Sequence, residues 1–398
     1  MKSKVVFQNK GQVSSESDIV FDSKIRLVSE GLALFYEKML SERTSKENSL
    51  IIVNYVLRLK TEINPSLNYR KMNITVLVYL CDFLCQKNIK QMKREDIISF
   101  LDSLRKSETS DPLHKWIGTY NLYRVLLSRF FRWFYSPDIE QNKRLKPSVI
   151  GNIPPLKRKE QSIYKPTDLW TVEDDLLFLK YCSSPRDRCY HAISRDLSCR
   201  PHEILNLRLK EVVFKTVGKY QYAEVLVNGK TGTRPIPLIS SIPFLKDWID
   251  QHPQRGNPNA FLIPTLSDRS YGRKMSSHTA NVIYRKYKLQ HFPRLLDDPS
   301  VMPEDKRKIT ELLKKPFNPY LRRHVGLTEK SKILKENILK QYAGWGGNSQ
   351  MHLKYLHYFG NESSESILEA FGIVTKEQQP QDQLKPKQCP NCSEPNKP

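Results

Sequence analysis

Features that would assign a protein to several common classes are missing from this sequence of 398 residues. Its most apolar stretch, residues 74–81, is far shorter than the roughly 20 apolar residues that a membrane-spanning helix needs. The first ten residues contain no long apolar segment of the kind found in signal peptides. Seven cysteines spread along a chain of this length do not form the dense pattern of a disulfide scaffold. These absences favour a cytoplasmic protein with free thiols and no membrane partner.

Familiar catalytic and nucleotide-binding motifs are missing or incomplete as well. The GKT at 229–231 matches the end of a Walker A loop, but Glu224 occupies the place of its first glycine. The HE at 202–203 opens a metalloprotease-like motif, but Asn206 stands where the second histidine is required. The CPNC segment at 389–392 supplies only two of the four ligands of a structural zinc site. We therefore predict no cofactor and no metal site, although the cysteine pair leaves zinc binding open.

What the chain has in excess is positive charge. Lysine and arginine total 65 and aspartate and glutamate total 42, which gives a net charge of +23. Hydrophobic residues make up 39% of the chain and aromatic residues 10%, too much for a disordered basic protein. A folded and strongly basic protein predicts a polyanionic partner, and nucleic acid is the commonest one.

Composition and hydrophobic periodicity divide the chain into segments. They are a flexible polar extension (1–24), a helical domain (25–145), a basic linker (146–169), a second domain (170–376) and a disordered tail (377–398). The first domain shows apolar stripes at helical spacing with breakers between them, which predicts a bundle of four or five helices. Proline and basic residues keep the linker extended and polar.

The second domain shows the signals of a mainly helical fold with a small hairpin. Thr171 followed by Asp174 is typical of a capping box at a helix start. A strand pattern over 220–227 meets Asn-Gly at 228–229, the strongest short hairpin signal, and 234–238 supplies the return strand. The predicted fold class is therefore mainly α with a small β-hairpin or sheet, α+β.

Two basic segments are candidate contacts to a phosphate backbone. The last helical pattern of the first domain interleaves basic and aromatic side chains, and the linker follows with a basic run. The candidate DNA-binding residues are Arg124, Arg129, Arg132, Lys157, Arg158 and Lys159. Such side chains suit neutralisation of phosphates. A solvated basic surface without a ligand fits both patterns equally well.

Three regions of the second domain carry a joint pattern. They are SCRPHEILNLR at 198–208, GKTGTRPIPL at 229–238, and NPYLRRH at 318–324 with GWGGNSQMHLKYLHY at 344–358. In this order they resemble the tyrosine recombinase (phage integrase) family, most closely archaeal integrases and Xer-like recombinases. The resemblance covers about residues 170–373. The helical domain before it fits the family's core-binding (SAM-like) domain by architecture alone.

The resemblance implies an active site. The matching catalytic residues are Arg200 and Arg323 for the two arginines, Lys230 for the β-strand lysine, Tyr320 at the first position of His-x-x-Arg, Trp345 at the His/Trp position, and Tyr355 as nucleophile. Tyr320 departs from the commonest histidine, which leaves open which group removes the proton from the nucleophile. Structural alternatives also stay open, because Arg200 can pair with Glu203 and Trp345 can serve as a packing residue.

The implied chemistry suits these residue types. Attack by Tyr355 on a phosphodiester gives a 3′-phosphotyrosine and a free 5′-hydroxyl, so the covalent intermediate stores the bond without ATP. Planar guanidinium groups at Arg200 and Arg323 can each bind two phosphate oxygens as charge gathers on them. The leaving oxygen needs a proton, which Lys230 can donate. No metal ion is required.

The leading hypothesis is a site-specific recombinase that integrates or excises a mobile DNA element. The resemblance implies double-stranded DNA as partner, a homotetramer on two sites and action in the nucleoid. A chromosomal dimer resolvase of Xer type is the alternative within the same enzyme class. A DNA-binding regulator of the same fold without strand cleavage is the alternative from another class, and the complete catalytic set disfavours it.

Overall fold

The computed structural model describes residues 16–158, 164–218, 220–229, 232–356, 384–389 and 394–398. The chain divides into two compact units, with the boundary between residues 163 and 164. Across these described ranges, no helix combines the length and apolarity that crossing a bilayer would require.

Helices make up the first unit. They are α1 (Glu16–Ser29), α2 (Leu34–Glu42), α3 (Lys46–Ile63), α4 (Leu67–Phe83), α5 (Arg94–Asp102) and α6 (Trp116–Tyr135). Ser45 and Ser66 cap α3 and α4, because each side chain accepts a backbone N–H of the first turn. Asn64, in the left-handed conformation at φ 41°, ends α3 directly before a proline.

The core of the first unit extends beyond its helices. Phe130 and Phe131 of α6 are fully buried in it. Val149, Ile150 and Ile153 pack into the same core at 3–5% exposure. The linker that the sequence predicts from residue 146 therefore begins with residues that belong to this unit, since apolar side chains among its prolines and lysines find a place in the core.

The second unit combines helices with a small sheet. Its elements are α7 (Val172–Tyr181), α8 (Pro185–Leu197), α9 (Pro201–Ile204), β1 (Val212–Val217), β2 (Tyr220–Gly229), β3 (Gly232–Leu238), α10 (Ile242–Asp250), α11 (Ser277–Lys286), α12 (Phe292–Asp297), α13 (Pro303–Lys314), α14 (Pro319–Ile333), α15 (Glu336–Ala343), α16 (Leu353–Leu356), β4 (Lys387–Gln388) and β5 (Pro395–Asn396). The predicted capping box is present, with Thr171 and Asp174 exchanging side-chain to backbone hydrogen bonds at the start of α7. The mainly helical α+β class is confirmed.

The sheet is antiparallel, with strand order β1-β2-β3. Gly229 pairs with Gly232 at the end of the predicted β2–β3 hairpin. Ala223, Val225 and Val227 of β2 alternate into the core and are fully buried, as the period of two predicts. β1, an edge strand that we did not predict from the sequence, pairs with β2 and leaves much of its surface exposed.

A buried ion network joins α7, α8 and α14 in the second unit. Asp175 is 1% exposed and binds Arg322 at 2.5 Å, Arg195 at 2.6 Å and His191 at 3.0 Å. Gly326 allows α14 to approach α8 closely, because a Cβ at this position would lie 2.5 Å from the Arg195 carbonyl oxygen. These contacts fix α14, which carries the second candidate arginine.

Part of the predicted disordered tail is ordered in the structure. β4 and β5 form a two-stranded ribbon, and Cys389 donates its backbone N–H to the Glu394 carbonyl oxygen. Leu384 is 6% exposed and packs against Leu179 and Phe244. Burial of the Leu384 side chain stabilises this part of the tail, which the polar composition of the tail does not predict. Cys392 lies outside the described residues.

Candidate active site

Arg200 stands at the start of α9 and is held by Glu203. The Glu203 carboxylate accepts the Arg200 backbone N–H at 3.1 Å and the Arg200 Nη1 at 3.0 Å. Glu203 is 1% exposed, whereas the Arg200 side chain keeps 26% of its surface accessible. The buried carboxylate therefore orients a guanidinium that still reaches solvent. The ion pair that the sequence offered as an alternative to function is present, and it is compatible with function.

Arg323 lies on α14 and is 1% exposed. Its Nη1 donates to the Ser198 carbonyl oxygen at 2.8 Å and its Nη2 to the Ala343 carbonyl oxygen at 2.9 Å. These bonds use two of the five N–H groups of the guanidinium. Arg323 thereby joins the segment before Arg200 to the end of α15.

The candidate nucleophile Tyr355 stacks on Trp345. Their ring centroids are 5.5 Å apart and the planes differ by 28°. Tyr355 is 2% exposed and Trp345 is 8% exposed. The Arg323 guanidinium carbon lies 5.8 Å from the centre of the Trp345 ring. One arginine and two aromatic rings of the predicted site thus meet directly.

His324 connects Tyr355 to Tyr320, the third aromatic residue of the predicted catalytic set. The His324 ring lies 5.6 Å from the Tyr355 ring and 5.2 Å from the Tyr320 ring, measured between centroids. Tyr320 itself is 44% exposed. Tyr320, Arg323 and His324 share one face of α14, because residues three and four apart are neighbours on a helix.

The electrostatics of the site are dominated by clustered positive charge. Burial lowers the pKa of Arg323; nearby Arg200 lowers it further, while Tyr355 and Tyr320 raise it. A guanidinium nevertheless stays protonated at neutral pH. Partial burial also lowers the pKa of His202, which stands two residues after Arg200. The pKa of Glu203 is lowered: burial raises it, but hydrogen bonds from Arg200 and Arg234 outweigh that effect.

Four of the six predicted catalytic residues are thus brought together: Arg200, Arg323, Trp345 and Tyr355. Tyr320 lies at the edge of the group, where its ring contacts His324 and its charge acts on Arg323. Lys230 lies outside the described residues. No group of three or more potential metal-ligating side chains occurs in the described ranges of the chain.

Two residues at the site were not predicted as functional. The sequence does indicate Glu203, because a carboxylate three residues after Arg200 can accept the Arg200 backbone N–H at the start of the helix. No sequence pattern points to Arg234 apart from its place in the hairpin motif. It is 6% exposed and binds Glu203 from the other side, with Nη2 3.0 Å from Oε2. A cavity of about 770 Å³ lies beside this region, with Arg234, Lys340 and Trp345 in its wall.

The candidate DNA-binding arginines of α6 share a cavity in the first unit. Arg124, Arg129 and Arg132 line it together with Arg144, and its volume is about 240 Å³. The Nε atoms of Arg124 and Arg132 are buried and have no hydrogen-bond partner among the described residues. Three predicted residues thus form one concentrated positive site.

The basic run of the linker is described only in part. Lys157 is exposed and Arg158 is half-buried. Lys159 lies outside the described residues.

The fold is similar to those of several solved recombinases. XerH site-specific recombinase bound to palindromic difH substrate, in a post-cleavage complex, matches with a TM-score of 0.50 at 14% identity, over 90% of this chain and 97% of that chain. A lambda integrase dimer bound to a COC′ core site gives 0.50 at 12% identity, over 77% and 76%. The Tn1549 transposon integrase in complex with transposon right end DNA gives 0.51 at 14% identity, over 81% and 99%.

These similarities establish that the chain has the fold of tyrosine recombinases. No protein-family model matches the sequence, and no curated protein matches it. At such low identity the likeness concerns the fold alone, so residue roles depend on the geometry of the site.

Proposed function

We propose that this chain is a site-specific DNA recombinase of the tyrosine type, which cleaves and rejoins DNA through a 3′-phosphotyrosine intermediate. The observation that carries the proposal is the meeting of Tyr355, Trp345 and Arg323, with Arg200 anchored beside them. A tyrosine among fixed guanidinium groups is suited to attack a phosphodiester and to stabilise the charge that develops on its oxygens. The similar solved structures are DNA complexes of recombinases and integrases.

In the proposed first step, the Tyr355 oxygen attacks the scissile phosphorus and the bond to the 5′-oxygen breaks. Arg200 and Arg323 bind the non-bridging oxygens, because a planar guanidinium matches two oxygens at once. Lys230 donates the proton that the leaving 5′-oxygen takes up. The tyrosine proton passes to a base in the site, and the imidazole of His324 is the neighbouring candidate. The reverse sequence, with a different 5′-hydroxyl, rejoins the strand.

Tyr355 must become accessible for this reaction, since it is only 2% exposed. The short α16 carries it, after a loop that contains Gly346 and Gly347, where an added Cβ would meet open space. We propose that DNA binding moves this segment so that the tyrosine hydroxyl faces the phosphate. The positive charges of Arg200, Lys230 and Arg323 neutralise the phosphate, which makes the proposed reaction independent of metal ions.

We further propose double-stranded DNA as the partner and a homotetramer on two sites as the active assembly. The cavity lined by Arg124, Arg129 and Arg132 supports phosphate contacts by the first unit. The similar lambda integrase structure is a dimer bound to a core site, which supports an assembly of more than one copy on DNA. The enzyme would meet its substrate in the nucleoid.

Integration or excision of a mobile element is the role we favour, and the Tn1549 transposon integrase is among the similar structures. The similarity in fold to XerH fits a chromosomal resolvase equally well. We also propose a relationship to archaeal integrases and Xer-like recombinases, which rests on the sequence motifs alone.

A DNA-binding regulator of the same fold is the second candidate. It would share the basic cavity and the fold but would form no covalent bond to DNA. The packing of Tyr355 against Trp345 beside Arg323 disfavours it, because a regulator has no need for a tyrosine among arginines at this place.

Covalent capture on nicked DNA separates the two candidates. The probe is a pool of nicked duplexes with randomised sequence, in which the short 5′-hydroxyl fragment diffuses away after cleavage and traps the adduct. We expect the wild-type protein to give an adduct stable to heat and detergent, and Tyr355→Phe to give none. Tyr358→Phe, three residues further on, is the control and should react like wild type.

Absence of any wild-type adduct, with retained DNA binding, would favour the regulator. An adduct that forms as fast with Tyr355→Phe as with wild type would reject Tyr355 as the nucleophile.

A further inference from the structure

Arg234 is a buried arginine of β3 to which the proposed reaction gives no role. Its Nε donates to the Tyr342 carbonyl oxygen at 2.9 Å, and its Nη2 donates to Glu203 Oε2 at 3.0 Å and to Cys199 Sγ at 3.3 Å. One side chain therefore joins the hairpin to the segment that carries Arg200 and to the end of α15.

Two glycines pack against the ion pair that Arg234 forms with Glu203. A Cβ at Gly229 would lie 2.6 Å from Glu203 Oε1 and 2.9 Å from Arg234 Nη1. A Cβ at Gly344 would lie 2.7 Å from the same Nη1. Gly344 has φ +64°, which favours glycine, and it directly precedes Trp345. The ion pair is thus enclosed by the end of β2 and by the loop of the stacking tryptophan.

The positive charge of Arg234 offsets the negative charge that Glu203 places beside Arg200. A buried carboxylate with Arg200 as its single partner would cancel the charge that the phosphate needs. With two guanidinium groups on one carboxylate, the cluster keeps an excess of one positive charge. The Arg234 Nη1 is buried without a hydrogen-bond partner among the described residues, so no acceptor seen there offsets this excess.

We propose that Arg234 is a positioning residue for strand cleavage. Together with Glu203 it fixes Arg200 relative to the loop that carries Trp345, and it supplies the positive charge that leaves Arg200 free to bind phosphate. The inference rests on the proposed function, since the step it serves is attack by Tyr355. Arg323 makes a parallel connection, from Ser198 to Ala343, so two arginines fix the same two segments.

The test uses Gly229→Ala and Arg234→Gln in the full chain. Gly229 has an ordinary φ, so an alanine there costs no backbone strain and removes no polar group; its methyl group displaces the ion pair. Gly256→Ala is the matched control, because its Cβ would meet nothing within 4 Å. Each variant is assayed for melting temperature, for the Kd of a nicked duplex captured by wild type, and for the cleavage rate at saturating DNA.

We expect Gly229→Ala and Arg234→Gln to lower the cleavage rate about 100-fold, the effect of misplacing a catalytic group by about 1 Å. The Kd should stay within about threefold of wild type, since few of the contacts that determine affinity are involved. The double variant should be no slower than the worse single variant, because both substitutions disrupt the same ion pair. Arg234→Lys, which retains the charge, should recover part of the rate. Gly256→Ala should cleave like wild type.

Cleavage by Gly229→Ala at the wild-type rate would overturn the inference. So would a double variant whose rate loss equals the product of the two single losses, or a Kd that rises by the same factor as the rate falls. Should Arg234→Gln fail to fold, Gly229→Ala and Arg234→Lys still decide the question. Failure of the proposed function has a different signature, since wild type itself would then form no adduct.

Discussion

Trp345 stacks on Tyr355 with their ring centroids 5.5 Å apart. The contact leaves two roles for the tryptophan: packing that holds the nucleophile, or an indole N–H that donates to a phosphate oxygen. The stacking geometry favours packing, because a ring against a ring restricts where the tyrosine hydroxyl can go.

Substitution of Trp345 separates packing from donation. We expect Trp345→Phe, which keeps a stacking ring without the N–H, to cleave within about fivefold of wild type, and Trp345→Ala to lose about 100-fold through misplacement of the nucleophile. The measurement is the rate of adduct formation on captured nicked duplexes at saturating DNA. Equal, severe losses in both variants would instead assign the tryptophan to phosphate donation.

Arg200→Lys tests the planar fork. Lysine retains the charge but cannot bind two oxygens in one plane, so we expect cleavage to fall about 100-fold or more while the Kd for the same duplex changes little. Binding is measured by filter retention and cleavage by gel. Lys210→Arg, the reverse exchange at an exposed position outside the site, is the control. Cleavage by Arg200→Lys at the wild-type rate would show that charge alone suffices at this position.

The cavity of α6 predicts a salt dependence. Each phosphate neutralised contributes roughly −0.9 to the slope of log K against log salt, so Arg132→Ala should make the slope shallower by about one. Lys106→Ala removes an equal charge from the same unit outside the cavity and should change the slope less. Fluorescence anisotropy titrations at salt concentrations from about 50 to 300 mM give the slope for each variant. Identical slopes for the two variants would argue against phosphate binding in the cavity.

The buried network under α14 predicts a loss of stability in mild acid. The pKa of His191 is lowered to about 4; burial is the largest cause, Arg322 acts in the same direction, and Asp175 opposes them. The unfolded histidine titrates near 6.5, so between about pH 6.5 and 4 the unfolded state binds more protons and stability falls as pH falls. The pKa of Asp175 is also lowered, but it titrates below this window.

The expected loss from His191 approaches about 3 kcal/mol at the acid end of the window. Urea unfolding of wild type and His191→Gln at pH 7, 6 and 5 measures it. We expect the free energy of unfolding to fall less steeply in the variant, while the exposed His278→Gln follows wild type. Parallel curves for all three proteins would contradict the role of His191.

Local signals in the sequence predicted much of the fold. Helical stripes, the capping box at Thr171 and the Asn-Gly hairpin signal are short-range patterns, and the structure contains each of them. β1 was not predicted, because it has two exposed positions for each half-buried one and therefore lacks the alternation of apolar and polar residues that indicates a strand. The burial of Val149 and Ile153 was not predicted, because a proline-rich basic segment gives no sign of the core beneath it.

The candidate site was predictable only where residue types matched a motif. Arg200, Arg323, Trp345 and Tyr355 came from such matches, and the structure adds how they meet. The bond from Arg234 to Glu203 was not predictable, since it joins residues 31 positions apart and neither position shows periodicity. Buried polar contacts of this kind depend on tertiary packing, which single-sequence patterns do not encode.

The central claim is that Tyr355 becomes covalently joined to a DNA 3′-phosphate. Its most direct test is to digest the adduct captured from nicked duplexes with protease and nuclease and to locate the nucleotide by mass spectrometry. We predict a 3′-linked nucleotide on Tyr355 in the wild-type protein and no modified peptide from Tyr355→Phe. A nucleotide on Tyr342, Tyr358 or any other residue, or one attached through a 5′-phosphate, would contradict the account.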